Sequence, residues 1–332
     1  MIGFWTAAEV ELQARRRVFM AFVATSSKGS PGTPKARMLL REDGSQLGTI
    51  GGGIMELNLL QNATKALRQK DFPTRLQRII HRSASENASG LICGGSQINV
   101  LCLFDPERDL ATVSRIADAL RNEEDAMIEL SPSSFTLKSS SSTLSGSSSR
   151  LTEFGNDWIY QLSTVNPRRI AIFGAGHCGR ALATQMVLLG YHVTLTDPRN
   201  DLPCNDRIGN VHTVIPSSAS GCCRTLRHWE LTAVVVMTHS YTTDVEALCE
   251  ILPYRPAFLG LMGSPQKLAK VRRELSETGL SEEQIASLRA PVGLAIGSDT
   301  PEEIAVSIAA QLLQENNLNS LHEPDYADHV ST

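Results

Sequence analysis

The chain has 332 residues, a length that suits two domains at roughly 150 residues each. Hydrophobic residues make up 42% and charged residues 20%, a globular composition that excludes a largely disordered or fibrous chain. The formal net charge of −4, from 31 Lys and Arg against 35 Asp and Glu, excludes a whole-molecule basic footprint for nucleic acid or an anionic membrane.

No apolar stretch reaches the ~18 residues that span a bilayer, and the opening MIGFWTAAEVELQARRR interrupts the apolar core a signal peptide needs. A cytoplasmic protein is the expectation. The seven cysteines are an odd number in no paired zinc-type spacing, so reduced thiols are expected and each needs its own reason to be functional.

In chain order, apolar spacing predicts a helix from Thr6 to Arg17, then a buried strand from Val18 to Thr25. A Gly/Pro loop, SSKGSPGTPKA, leads into the strand RMLLRE, and Asp43-Gly44 signals a turn. LGTI then runs into Gly51-Gly52-Gly53 and a helix from Ile54 to about Gln69. Strands are expected at RLQRIIHR and from Ser96 to Phe104, with Cys93-Gly94-Gly95 between them and a helix near Asp109 to Arg121 after them. The serine-dominated run from Ser131 to Arg150 reads as a flexible hairpin loop or a linker. Apolar alternation resumes at Asp157, so the domain boundary is placed near Val165 to Pro167.

The second half alternates strand and helix. RIAIF, a helix from His177 to Leu189 stopped by Gly190, and YHVTLT make one βαβ unit. Further strands are expected at Val211 to Ile215, Ala233 to Thr238, Phe258 to Met262 and Val292 to Ile296, and a final helix opens at Thr300-Pro301-Glu302-Glu303. The fold class is therefore α/β: a C-terminal Rossmann-like parallel sheet over 166–320, a smaller N-terminal α+β domain over 1–165, and a polar tail over 321–332.

Gly174-Ala175-Gly176-His177-Cys178-Gly179 lies between a strand and a helix, and Asp197 closes the next strand. Gly174, Gly176 and Gly179 allow the tight turn, the approach of a pyrophosphate and close helix packing, while Asp197 can accept from a ribose hydroxyl. His177 either contacts a phosphate or faces solvent from the first helical turn. Thr238-His239-Ser240 falls at the carboxyl end of a strand, where His239 acts as acid, base or donor to a ligand, or simply caps loop carbonyls. The helix with Lys267 and Lys270 after Gly260 to Ser264 either meets a phosphate or carboxylate or presents a solvated basic face. In the first half, Gly51, Gly52 and Gly53 make a second anion nest, beside which Glu56 either complements the helix dipole or orients a ligand group. Cys93 beside Gly94 and Gly95 is the thiol that a ligand can approach closely; the alternative is a small buried hydrophobe.

In order, Gly48 to Gly53 with Glu56, Cys93-Gly94-Gly95, Phe173 to His177, Thr238-His239, Gly260 to Ser264 with Lys267, and PVGLAIGSDTPEEIAVSIAA resemble the XdhC/CoxI family of accessory proteins for molybdenum hydroxylases. The resemblance implies an accessory protein, for which turnover is not required, that binds the molybdenum cofactor, as molybdopterin or its dinucleotide form. It implies protection of the cofactor while a cysteine desulfurase installs sulfur, and delivery to an apo molybdenum hydroxylase of the xanthine dehydrogenase or aldehyde oxidoreductase type. A homodimer is left open. The positions carried over are Gly51 to Gly53, Glu56, Cys93 to Gly95, Gly174, Gly176, His177, Thr238 and His239, and Cys93 would meet the molybdenum. The early loop, Gly29 to Met38, is one residue shorter than the family pattern and lacks its arginine and glycine. The alternative from the same glycine turn is an NAD(P)-dependent oxidoreductase with His239 transferring a proton.

Overall fold

Seven consecutive residues from Val18 are buried, because strand β1 (Val18–Ser26) lies at the centre of a sheet covered on both faces. In the computed structural model, which describes residues 1–27, 29–34, 36–69, 72–80, 95–139, 149–199, 211, 213–215 and 217–320, the chain divides between Asn166 and Pro167 into two units.

The first unit opens with α1 (Ile2–Gln13), followed by β1, β2 (Arg37–Arg41), β3 (Gln46–Thr49), α2 (Gly53–Arg68), β4 (Arg75–Ile80), β5 (Ser96–Phe104) and α3 (Pro106–Arg121). Its five-stranded antiparallel sheet has the order β3-β2-β1-β5-β4. Alternate residues of β1 serve opposite cores: Met20 and Phe22 pack with Trp5 of α1, while Phe19, Ala21 and Val23 pack with Met55 and Leu59 of α2. A second antiparallel sheet, β7-β6-β9-β8, is built from β6 (Ala126–Leu130), β7 (Phe135–Ser139), β8 (Ser149–Phe154) and β9 (Asp157–Ser163). Ile128 and Tyr160 of this sheet complete the Trp5 core.

Three expectations shift here. Helix α1 begins and ends about one turn earlier than its apolar spacing suggests, since Arg15 adopts φ +59° and the amides of Arg15 and Arg16 turn back to Leu12 O and Glu11 O. Helix α3 starts at Pro106 because the Asp105 carboxylate accepts from the Glu107 amide at 3.0 Å and proline suits the first helical position. Within the serine run, Ser131 to Ser134 form a turn and Phe135 to Ser139 and Ser149 to Arg150 belong to strands β7 and β8; residues 140–148 fall outside the described residues.

The second unit is built from β10 (Arg169–Phe173), α4 (His177–Leu188), β11 (His192–Thr196), β12 (Thr213–Ile215), α5 (Ala219–Thr225), β13 (Thr232–Val236), α6 (Tyr241–Ile251), β14 (Phe258–Leu261), α7 (Pro265–Ser276), α8 (Glu282–Ala286) and α9 (Pro301–Ser320). Its five strands are parallel in the order β12-β11-β10-β13-β14, so the connection direction reverses at β10, as in a Rossmann-type sheet. Helices on both faces seal it: α4 and α9 over Ile170, Ile172 and Val235, and α6 and α7 over Ala171, Val234 and Val236.

The strand expected from Val292 to Ile296 is absent: the segment is irregular, with Val292 N donating to Leu261 O at 3.0 Å after the isolated bridge Gly260–Arg289. Pro291 supplies no amide, and Gly293 and Gly297 take φ of +104° and +74°, which breaks any ladder. Val292 instead packs against β14 where Gly260 leaves room, since a Cβ on Gly260 would stand 2.4 Å from Val292 Cγ2. The tail over 321–332 lies outside the described residues.

Gly179 shows how tightly α4 is drawn onto β10: a Cβ there would fall 1.8 Å from Gly174 O. Gly179→Ala is therefore expected to lower the stability of the second unit by about 1–3 kcal/mol, the cost of overpacking against an unyielding backbone. Chemical denaturation followed by circular dichroism measures it, and an unchanged midpoint would contradict the close approach.

Candidate functional site

Three glycine-bearing loops of the first unit converge at one end of its larger sheet. A Cβ on Gly51 would stand 2.8 Å from Gly32 N, one on Gly32 2.4 Å from Ile50 O, and one on Gly95 2.8 Å from Ser30 N. The loop after β1, the Gly51 turn and the start of β5 thus pack backbone on backbone. Side chains bind them further. Ser27 exchanges hydrogen bonds with Ser96, its Oγ accepting from Ser96 N at 2.7 Å and its amide donating to Ser96 O at 2.8 Å. Gln97 Nε2 donates to Ile50 O at 3.3 Å and Asn99 Oδ1 at 3.0 Å, while Ser30 Oγ donates to Gln97 Oε1 at 2.9 Å. The early loop that departs from the family pattern is therefore part of this cluster.

The nest formed by Gly51, Gly52 and Gly53 holds the chain's own carboxylate. Glu56 Oε2 accepts from Ile50 N at 3.0 Å, Gly52 N at 3.1 Å and Thr49 Oγ1, and Oε1 accepts from Gln46 Nε2 at 2.7 Å. Burial works against the charge, yet these donors outweigh it and hold the Glu56 pKa below its ordinary value. Any ligand anion in the nest would have to displace Glu56. Gly95 is the described member of the second motif; Cys93 and Gly94 lie outside the described residues. Among the described residues no three His, Cys, Asp or Glu side chains gather to hold a metal.

In the second unit the predicted residues assemble at the carboxyl edge of the parallel sheet. Gly174, at φ +119°, runs so close to β13 that a Cβ would stand 2.3 Å from Met237 O, and its amide donates to Thr196 O at 2.8 Å. Gly176 caps α4 with an extended backbone, φ −69° and ψ −172°, and a Cβ on it would meet open space. Neither conformation nor packing requires glycine at position 176. His177 follows as the first residue of α4 and is exposed, while Cys178 is partly buried and its thiol pKa is pushed up by burial.

Asp197 follows β11 and is saturated with donors. Its Oδ2 accepts from Ala175 N and Arg199 Nη2, both at 2.8 Å, and its Oδ1 from Arg199 N at 3.0 Å and Nε at 2.9 Å. Burial opposes the charge, but Arg199 and the Ala175 amide bring the pKa below its ordinary value. A ribose hydroxyl would have to compete with that fork. Beside it a cavity of about 540 Å³ opens between the strand ends, with Gly174, Asp197, Ser218, Thr238, His239 and Glu246 in its wall. His239 is exposed at this rim.

The sequence reading missed what holds that rim. Asp244 of α6 is fully buried and its Oδ1 accepts from Thr238 N at 3.0 Å and Thr238 Oγ1 at 2.6 Å. Its Oδ2 pairs with Lys267 Nζ, which also donates to Met262 O at 3.2 Å. Lys267, read as a ligand contact or a solvated cation, thus locks the ends of β13 and β14 together. Asp244 in the first turn after the N-cap Ser240 was the available signal, but its partner lies on another helix. Arg199, two residues beyond Asp197, carried no pattern that separates it from a surface arginine.

Residues 170–312 match the XdhC Rossmann domain, and residues 11–78 match the XdhC and CoxI family. The chain is 28% identical over 318 residues to an uncharacterised protein, YqeB, of Escherichia coli (strain K12), covering 95% of this chain and 46% of that protein. It is 28% identical over 154 residues to a probable xanthine dehydrogenase subunit of Bacillus subtilis (strain 168), covering 46% of this chain and 44% of that one. The match thus takes in somewhat less than half the length of these curated relatives. A solved xanthine dehydrogenase structure from Bacillus halodurans shares the fold with a TM-score of 0.71 at 23% identity, over 97% of this chain and 98% of that one.

Because Glu56 has a depressed folded pKa, its stabilisation is full above the unfolded value near 4.5 and is lost as pH falls through the folded value. The stability difference between wild type and Glu56→Gln is accordingly expected to be constant at neutral pH and to shrink on acidification below that value. Denaturant titrations across the acid range measure it; a difference that grows on acidification would contradict the nest assignment.

Proposed function

The chain belongs to the XdhC and CoxI family, and from that premise we propose that it is an accessory protein in the maturation of a xanthine dehydrogenase-type molybdenum hydroxylase. Its cargo is the molybdenum cofactor, held while a cysteine desulfurase supplies sulfur to the metal centre and then released to the apo-enzyme. The family match and the similarity to the probable xanthine dehydrogenase subunit of Bacillus subtilis support the client class.

The observation that carries the cargo reading is Gly176. A glycine that the fold itself does not require, at the mouth of a twelve-residue helix, leaves open space beside the first amides of α4 that a larger side chain would occupy. The first amides of α4 and the positive end of its dipole suit an anion there, and a pyrophosphate of a dinucleotide cofactor is such a group. His177, exposed at the first helical position, is placed to donate to it. Gly174 and Gly179 fix the turn, and the Lys267–Asp244 pair fixes the neighbouring strand ends.

The competing reading, an NAD(P)-dependent oxidoreductase, leans on Asp197 as the acceptor for a ribose hydroxyl. All four donors on that carboxylate come from the protein, and this weighs against it. Binding of a pyrophosphate over Gly176 does not need Asp197.

Deletion of the gene, followed by molybdenum and sulfur analysis of the host's molybdenum hydroxylases, tests the proposal. The expected outcome is client enzyme deficient in sulfurated cofactor. Clients that keep full, sulfurated cofactor would overturn it.

A further inference from the structure

The hydrogen-bonding groups on the wall of the cavity of about 540 Å³, at the carboxyl edge of the parallel sheet, fall into two sets. One set is spent inside the protein. Asp197 is held by Arg199 and the Ala175 amide, Thr196 Oγ1 donates to Ile215 O at 2.9 Å, and Thr238 and Thr243 bond to each other and to Asp244 and Ser240. Between these groups the wall is apolar, with Phe173, Val245 and Ala247.

Besides His239 at the rim, the groups left for a ligand lie on α5 and α6, which pack together. Glu246 and Glu250 of α6 both line the cavity, and among the described residues neither carboxylate has an ion pair or a hydrogen bond. They stand four residues apart, where like charges weaken a helix, so the pair does not serve α6 itself. Ser218 and Ser220, at the start of α5, line the same cavity. Ser218 Oγ accepts from Gly221 N at 3.3 Å and Ser220 Oγ from Arg224 Nη1 at 2.8 Å, so each hydroxyl keeps its own proton to donate. The cavity thus offers carboxylate acceptors from one helix and hydroxyl donors from the other.

We propose that this cavity takes the nucleobase of a dinucleotide cofactor, and that Glu246 and Glu250 accept from the exocyclic amino group of that base. The proposal rests on the cargo reading, which puts the pyrophosphate over Gly176, two residues beyond Gly174 of the cavity wall. A flat base suits a mostly apolar cavity of this size. Its amino group supplies donors to the carboxylates, and the ring acceptors beside it meet Ser218 and Ser220. The carboxylates also repel phosphate, so the phosphates stay at α4 and the base enters the cavity. Cytosine, guanine and adenine share the amino group; uracil and hypoxanthine lack it.

Titration calorimetry of the full chain with CDP against UDP, and with GDP and ADP each against IDP, tests it. The amino-bearing member of at least one pair is expected to bind about tenfold or more tightly, and the pair that shows the preference identifies the base. Both glutamates are exposed, so the double variant Glu246→Gln/Glu250→Gln is expected to fold as wild type does and to bind the members of that pair equally. Equal binding within every pair by wild type, a preference that survives in the double variant, or no nucleotide binding by wild type overturns the proposal. Inorganic pyrophosphate and Gly176→Val keep the two readings apart. Pyrophosphate bound by wild type and lost in Gly176→Val, with no base preference, overturns the base site and leaves the cargo reading standing. A base preference that persists in Gly176→Val with undiminished affinity supports the base site and sinks the pyrophosphate site.

Discussion

Backbone passing backbone at distances that exclude a Cβ is the constraint on which the structure depends. In the first unit it joins the Gly32, Gly51 and Gly95 loops, and in the second it draws Gly174 onto β13 and Gly179 onto Gly174. These approaches bring segments far apart in sequence to one sheet end within each unit. Side-chain hydrogen bonds such as those of Gln97 and Asn99 then satisfy the polar groups that the close packing buries. Gly176 differs from these glycines, since nothing stands near its Cβ position and its φ of −69° suits any residue.

The carboxylates nearest the motifs act as internal anchors. Glu56 fills the glycine nest, Asp197 is clasped by Arg199 and the Ala175 amide, and Asp244 ties Thr238 to Lys267. Each offers its acceptors to the protein, and stripping the buried Asp197 or Asp244 of its cationic partner would cost several kcal/mol.

The α/β fold was legible where the signal is local. The unbroken apolar run at β1 marks a strand covered on both faces, and the glycine turn between β10 and α4 marks the Rossmann-type unit. Legibility failed where a distant partner or a backbone exception decides. Arg15 ends α1 by taking a left-handed conformation, and Pro291 with Gly293 removes a strand that the apolar pattern of Val292 to Ile296 suggests. The site followed the same rule: the glycine turn with Gly174 and Gly179 was legible as a motif, whereas the close approach of Gly174 to Met237 O and the pairing of Lys267 with Asp244 on another helix were not. No periodicity encodes such choices.

The central claim is that Gly176 serves a ligand and not the fold. Gly176→Val, produced alongside wild type in cells that make the molybdenum cofactor, tests it when melting temperature and bound molybdenum and pterin are measured on the same samples. The account predicts a variant that melts with wild type but carries no molybdenum or pterin, from a wild type that carries both. A variant that retains the cofactor, or a wild type that never holds it, would contradict the account.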